Sequence, residues 1–298
     1  MSWQFEKVAG PYQGPTIGVA WDGEAVNFTV PNEGYIYRLN PTTNATSEYR
    51  RYMRRIAGIG FAPDGDFFGC QEGSRRIVQF QKDGSTRTTA SFFEGVIHNH
   101  PNDLCVDKLG RVWFSDAYNP VPPIGIYRPP LSHASVLRLE RDNNRAWRIV
   151  RVTQDTSAPR AVLLSPDEKT LYLSEGEAGG PRHCELRAYP VRPDGGVGDC
   201  VSLVTFGIDD RGTHRGIEGM CLDGDGNIVA CCGSRQSGPG PMVIVISPKG
   251  VVLESHPLSF DMPMRCAFGG ANLASLFVTS ADGGLYRATA NRNGLQRK

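Results

Sequence analysis

Four residues able to do chemistry fall at equivalent points of a repeating pattern in this chain: Asn102, Arg160, Glu218 and Arg265. The first three are spaced 58 residues apart, and Arg265 follows 47 residues after Glu218. Arginine presents a planar fork that suits a carboxylate or a developing oxyanion, and glutamate can orient or deprotonate a water. Around them the sequence places more titratable groups than a structural plug needs: His98, His100 and Asp103 just before or beside Asn102, and Asp209, Asp210 and His214 just before Glu218. Glu33, Glu72, Tyr118, Tyr127, Glu175, Glu177 and His183 lie in other loops expected on the same face. An ion pair filling a channel would account for Glu218 and the arginines; the convergence of so many further groups favours an anion-binding and catalytic constellation.

Such spacing requires elements that repeat. Short runs rich in Val, Ile, Phe, Tyr and Leu have strand length, among them Phe67–Cys70, Val112–Ser115, Thr170–Ser174, Ile228–Cys232 and Met242–Ile246, and no long segment has helical periodicity. They recur in a fixed order of strand, tight turn, strand, variable loop, strand and second turn. The first turns centre on positions 64, 109, 167, 225 and 272, after an earlier one at Asp22-Gly23. A four-stranded unit repeating every 40 to 60 residues is the signature of a β-propeller, and six units predict an all-β, six-bladed ring in one domain, 1–298. Trp3–Val8 is an alternating segment outside the first unit, expected to close the ring beside Leu285–Ala288.

Innermost strands of a propeller begin at the mouth of its central channel. Counting back seven residues from each first turn gives Ala57, Asn102, Arg160, Glu218 and Arg265, with Ile17 in the first unit. These six should face one another. The proline-rich loop from Asp116 to Ala134 is long enough to be a lid or pocket wall.

Composition narrows the function classes. Lys plus Arg is 32 against 31 Asp plus Glu, a net charge of +1, so no global field favours nucleic acid or an anionic membrane. The longest apolar runs, such as Met242–Ile246, are far short of the roughly 20 residues that span a bilayer. Eight cysteines include no Cys-x-x-Cys pair and read as small buried hydrophobes. With no basic segment and apolar stretch at the start, the expected compartment is the cytoplasm.

The motifs Pro101-Asn102-Asp103-Leu104 with Gly110-Arg111-Val112-Trp113-Phe114-Ser115-Asp116, Leu164-Ser165-Pro166-Asp167-Glu168-Lys169-Thr170-Leu171-Tyr172, Gly219-Met220-Cys221-Leu222-Asp223 with Gly226-Asn227-Ile228-Val229-Ala230, and Cys266-Ala267-Phe268-Gly269-Gly270 resemble the gluconolactonase, regucalcin and luciferin-regenerating-enzyme family. The likeness covers nearly the whole chain. It implies a six-bladed propeller and a lactonase or related esterase holding one divalent cation, calcium or zinc, in the channel mouth. The resemblance implies cation ligands of a Glu, two Asn and an Asp; by position they fall on Ile17, with Gln13-Gly14-Pro15 nearby as the less favoured register, and on Asn102, Arg160 and Glu218, so only Asn102 matches. A hard cation needs several oxygen ligands, and this set replaces one carboxylate and one amide by an alkyl group and a fixed positive charge.

The resulting expectation is a metal-independent hydrolase of a small carboxylated or otherwise anionic lactone or ester. Arg160 would stand in for the cation, Glu218 would orient or deprotonate water at a lowered pKa, and His100 or His214 would be the alternative base. Arg265 would hold a substrate carboxylate, with Asn102, Asp103, His98, His214 and Tyr118 also contacting substrate. No cofactor is expected, the alternative being one calcium or zinc at Asn102 and Glu218. The runner-up functions are an elimination or isomerisation on the same scaffold and a non-catalytic binder of small anions.

Overall fold

A computed structural model describes residues 2–118, 131–177 and 179–296. Much of the loop from Asp116 to Ala134, Tyr127 included, lies outside the described residues. Six four-stranded antiparallel sheets form the blades of a propeller. Their innermost strands are Val19–Trp21, Ile56–Phe61, His100–Val106, Pro159–Leu164, Ile217–Leu222 and Pro263–Gly269. Each packs against the next, and the sixth packs against the first, so the ring is closed. Among the described residues the only helical turns are the two 3-10 segments Glu72–Ser74 and Ala271–Leu273. No described helix is long and apolar enough to cross a membrane.

Closure follows the expected scheme with a shifted element. The outermost strand of blade six is Glu6–Ala9, paired antiparallel with Leu285–Thr289. The expected segment Trp3–Val8 is thus corrected at its start. Trp3 leaves the sheet plane because its ring stacks on His256 at 4.0 Å between centroids, while its Nε1 donates to Asn291 Oδ1 at 2.7 Å. The side chain is buried, so it anchors the terminus by packing rather than by ladder bonds.

The turn after each innermost strand has a local chemical cause. Asp107 Oδ1 accepts from the backbone N–H groups of Leu109 and Arg111, and Asp223 Oδ1 accepts from those of Asp225 and Asn227. Gly110 and Gly226 then take positive φ of 74° and 80°, which a side chain would resist. Between blades, apolar faces meet in clusters such as Phe68, Leu104, Phe114, Leu137 and Leu139. Six cysteines are buried and Cys200 and Cys221 partly so; all eight are free thiols.

Two features fix what the channel mouth receives. The innermost strands of blades two to six each carry a register shift just after they begin, between Ile56 and Ile59, Pro101 and Leu104, Pro159 and Val162, Ile217 and Gly219, and Pro263 and Cys266. Residues inside such a bulge are released from the ladder and re-aimed. Next, a hydroxyl on the second strand bridges to the following blade: Thr29 Oγ1 to Ala57 O at 3.0 Å, Ser115 Oγ to Arg160 O at 2.5 Å, Ser174 Oγ to Ile217 O at 2.6 Å and Thr279 Oγ1 to Ile17 O at 2.6 Å. These hydroxyls bond carbonyls at the openings of the innermost strands, and so hold the mouth residues in place.

Candidate active site at the channel mouth

Asn102, Arg160, Glu218 and Arg265 all sit in the bulges, and the ring brings them together. Arg160 Nη1 lies 2.8 Å from Glu218 Oε1, and its Nε donates to Gly176 O at 2.9 Å. Arg265 crosses the channel: Nε donates to Asp103 Oδ1 at 2.8 Å, Nη1 to Glu218 O at 2.6 Å, and Nη2 to the carbonyl and side-chain oxygens of Asn102. Close approach of blades is needed for this. A Cβ on Gly219 would stand 2.7 Å from Arg265 Cα, and one on Gly58 would stand 2.8 Å from Asn102 O.

A residue outside the six counted positions completes the cluster. Arg215, three residues before Glu218 and buried, donates from Nε to Glu218 Oε1 at 3.0 Å and from Nη2 toward Met264 Sδ at 3.4 Å. Counting strand openings misses it because it projects from the preceding loop. The Arg-Gly-Ile-Glu sequence, with an arginine three residues before the acid, was the available signal.

Two guanidinium groups on one carboxylate oxygen set its acidity. Burial opposes ionisation of Glu218, but Arg160, Arg215 and Arg265 outweigh it and hold the carboxyl at about 2. Glu218 Oε2 has no hydrogen bond to any described residue. Arg160 is shifted further up, chiefly by Glu218. Burial pushes the Asp103 carboxyl up, with Arg265 pulling the other way.

The histidines separate into different roles. His100 opens the innermost strand of blade three and is buried, and neither ring nitrogen has a hydrogen-bond partner among the described residues. Burial, then the positive charge of Arg75, pulls its pKa below 6.5, against Glu72 and Asp116, so the ring is neutral near pH 7. His98 is fully buried behind it, with Nδ1 at 2.8 Å from Asp116 Oδ1. Asp116 also accepts from Asn99 N, and Arg75 donates to the carbonyls of Ile97, His98 and Asn99, so this network shapes the loop that delivers His100. His214 Nε2 lies 3.2 Å from Asp209 Oδ2. Tyr118 is 61 % exposed.

Among the described residues His98, His100, His214 and Tyr118 make no hydrogen bond to the Arg160–Glu218 pair, and three nitrogens of Arg265 are engaged by Asp103, Asn102 and Glu218. Glu175 Oε1 accepts from Ser157 N, Ser157 Oγ and Ala158 N, bracing the loop before Arg160. Glu33 accepts from Gln13 N and Tyr37 Oη, Glu72 pairs with Arg55, and His183 Nδ1 is 2.8 Å from Phe206 O. Two surface clefts, of 520 and 760 Å³, share no residue with the mouth; the first is lined by Leu109, Arg111, Arg138, Arg148 and Asp194, at the turn end of blade three, and the second by Trp3, Phe5 and Arg287.

Comparison with known proteins agrees with this architecture. The family described as SMP-30/Gluconolactonase/LRE-like region matches residues 16–282. A gluconolactonase of Zymomonas mobilis is 27% identical over 75% of this chain and 60% of its own. A 6-deoxy-6-sulfogluconolactonase of Pseudomonas putida is 29% identical over 63% of this chain and 56% of its own. The chain therefore spans somewhat over half the length of these curated relatives. The solved gluconolactonase of Xanthomonas campestris superposes with a TM-score of 0.76 at 23% identity, covering 96% of this chain and 89% of that one. With its matching sequence profile and its six-bladed ring, this chain belongs to the SMP-30/gluconolactonase/LRE-like family.

Proposed function

We propose that the protein hydrolyses a small anionic lactone or ester at the channel mouth, with arginine in place of a resident cation. The observation that carries the reading is the Arg160–Glu218 pair, which stands at two positions that in the family resemblance belong to cation ligands, with Arg215 joined to the same carboxylate from the preceding loop. Family membership and relatives named as lactonases support lactone hydrolysis as the reaction. The donor set does not fit a divalent cation. Ile17 offers no side-chain donor, Asn102 Oδ1 already accepts from Arg265, and Glu218 Oε1 lies between two guanidinium groups. Among the described residues no three His, Cys, Asp or Glu side chains are grouped to hold a metal. A calcium or zinc at Asn102 and Glu218 would have to displace Arg265 and sit beside fixed positive charge.

Arg160, with its side chain 31% exposed, is placed to stabilise the oxyanion that develops on the lactone carbonyl oxygen. Glu218, held at about 2, is too weak a base to take a proton efficiently but can orient a water through Oε2. His100, which opens the innermost strand of blade three two residues before Asn102 and whose pKa burial lowers, is the base in this reading. Water adds its oxygen to the carbonyl carbon while its proton passes to His100. The ring C–O bond then breaks, and the departing alkoxide takes that proton back.

The test is turnover of a panel of neutral and carboxylated lactones by protein pretreated with EDTA, alongside Arg160→Ala. We expect hydrolysis that survives chelation and falls about 100- to 1000-fold in the variant. Activity abolished by EDTA and restored by calcium or zinc would overturn the metal-free reading, and binding of acids without any turnover would replace hydrolysis by simple anion binding.

A further inference from the structure

The mouth holds a positive charge that the protein does not neutralise. Among its buried groups, Arg215 and Arg265 face Glu218 and Asp103, and half-buried Arg160 adds one more cation. The next carboxylate acting on Arg160 is Glu177, which is exposed. Arg215 Nη1 is buried and has no hydrogen-bond partner among the described residues, a costly state for a charged donor. Its neighbour Arg160 has an Nη2 with no hydrogen bond to any described residue. Arg160 Nη1 and Arg215 Nε both lie within 3.0 Å of one oxygen of Glu218, so the two guanidinium groups share a single carboxylate oxygen. The loop is not free to drift, since Gly233 N donates to Arg215 O at 3.1 Å.

We infer that Arg215, with Arg160, forms a seat for the carboxylate of a monoanionic substrate, one oxygen taken by Arg215 Nη1 and the other by Arg160 Nη2. This rests on the proposed hydrolysis, and gives the anion a different holder from Arg265, whose donors brace Asp103, Asn102 and the Glu218 carbonyl. A carboxylate there completes the valence of both guanidinium groups and leaves Glu218 Oε2 for water. Two planar forks around one anion favour a planar carboxylate over a hydroxyl.

Two lactones separate the seat from a general effect on chemistry: D-glucaro-1,4-lactone and D-glucono-1,4-lactone share the ring and differ by a carboxylate against a hydroxymethyl at the far end. Arg215→Gln should raise the KM for the glucaro-lactone at least about tenfold more than it raises that for the glucono-lactone, over any fall in kcat that the two lactones share through Glu218. Arg215→Lys, which keeps the charge but loses the fork, should recover only part of the difference; its melting temperature, compared with wild type, checks that the fold survives. The same change in KM for both lactones would overturn the seat and leave Arg215 as a residue that only positions Glu218. Calorimetric titration of D-gluconate and of neutral D-glucitol into wild type and Arg215→Gln decides the matter even if neither lactone is hydrolysed. Gluconate binding lost in the variant upholds the seat while hydrolysis fails, and no preference of wild type for gluconate over glucitol refutes it.

Discussion

Replacing Glu218 with glutamine removes one negative charge from between Arg160 and Arg215 while keeping shape and an oxygen acceptor, so the variant reads the charge itself. Glu218 is 5% exposed and its carboxyl is held at about 2, against an ordinary value of 4.5. At about 1.4 kcal/mol per pKa unit this amounts to roughly 3 kcal/mol of stability at neutral pH. Because the folded value is depressed, the contribution is fully present above the unfolded value and is lost as pH falls through the folded one. By linkage about 1 kcal/mol should remain at pH 3. Unfolding entropy of about 2.1 cal/mol/K per residue converts these figures to a drop of about 5 °C at pH 7 and about 2 °C at pH 3. Thermal melts of wild type and Glu218→Gln at both pH values, followed by circular dichroism, check it. A difference of the same size at pH 7 and pH 3, or none at pH 7, would refute the view that two guanidinium groups stabilise an ionised Glu218.

Two further outcomes are expected. His100→Gln should lower kcat/KM on a hydrolysed lactone by about 100-fold or more, and should remove a limb of the wild-type profile that rises with pH below 6.5 and is flat above it, since the depressed pKa keeps the active neutral form dominant there; a limb that persists in the variant would hand the base to another group, such as His214. Deleting residues 1–9 removes the Glu6–Ala9 strand and the Trp3 stack, leaving Leu285–Thr289 as an unpaired edge, and should lower the melting temperature by about 5 °C or more, whereas an unchanged melt would mean that the ring does not depend on this closure.

The sequence by itself determined the ring. Turns that need Asp and Gly recur at near-regular intervals, and apolar strands between them can bury their faces only against neighbouring repeats, so the number of blades and the residues opening Asn102, Arg160, Glu218 and Arg265 into one channel follow from local chemistry and counting. It also determined which types of charge meet there. Tertiary structure decided how they pair. Arg265 reaches across to Asp103 and Asn102 of blade three, a contact between residues 162 and 163 positions apart that no repeat count specifies. The same holds for Arg215, which leaves the periodic strand positions altogether and meets Glu218 from a loop. His98 and His100 are two residues apart and equal in sequence, yet one is spent on Asp116 and the other keeps both ring nitrogens unpartnered. Periodicity fixes where a side chain starts, since backbone hydrogen bonding is local; the direction taken by a long charged side chain is settled by whichever buried partners the closed ring supplies, because at low dielectric an unpaired charge costs more than the rotamer freedom lost in reaching one.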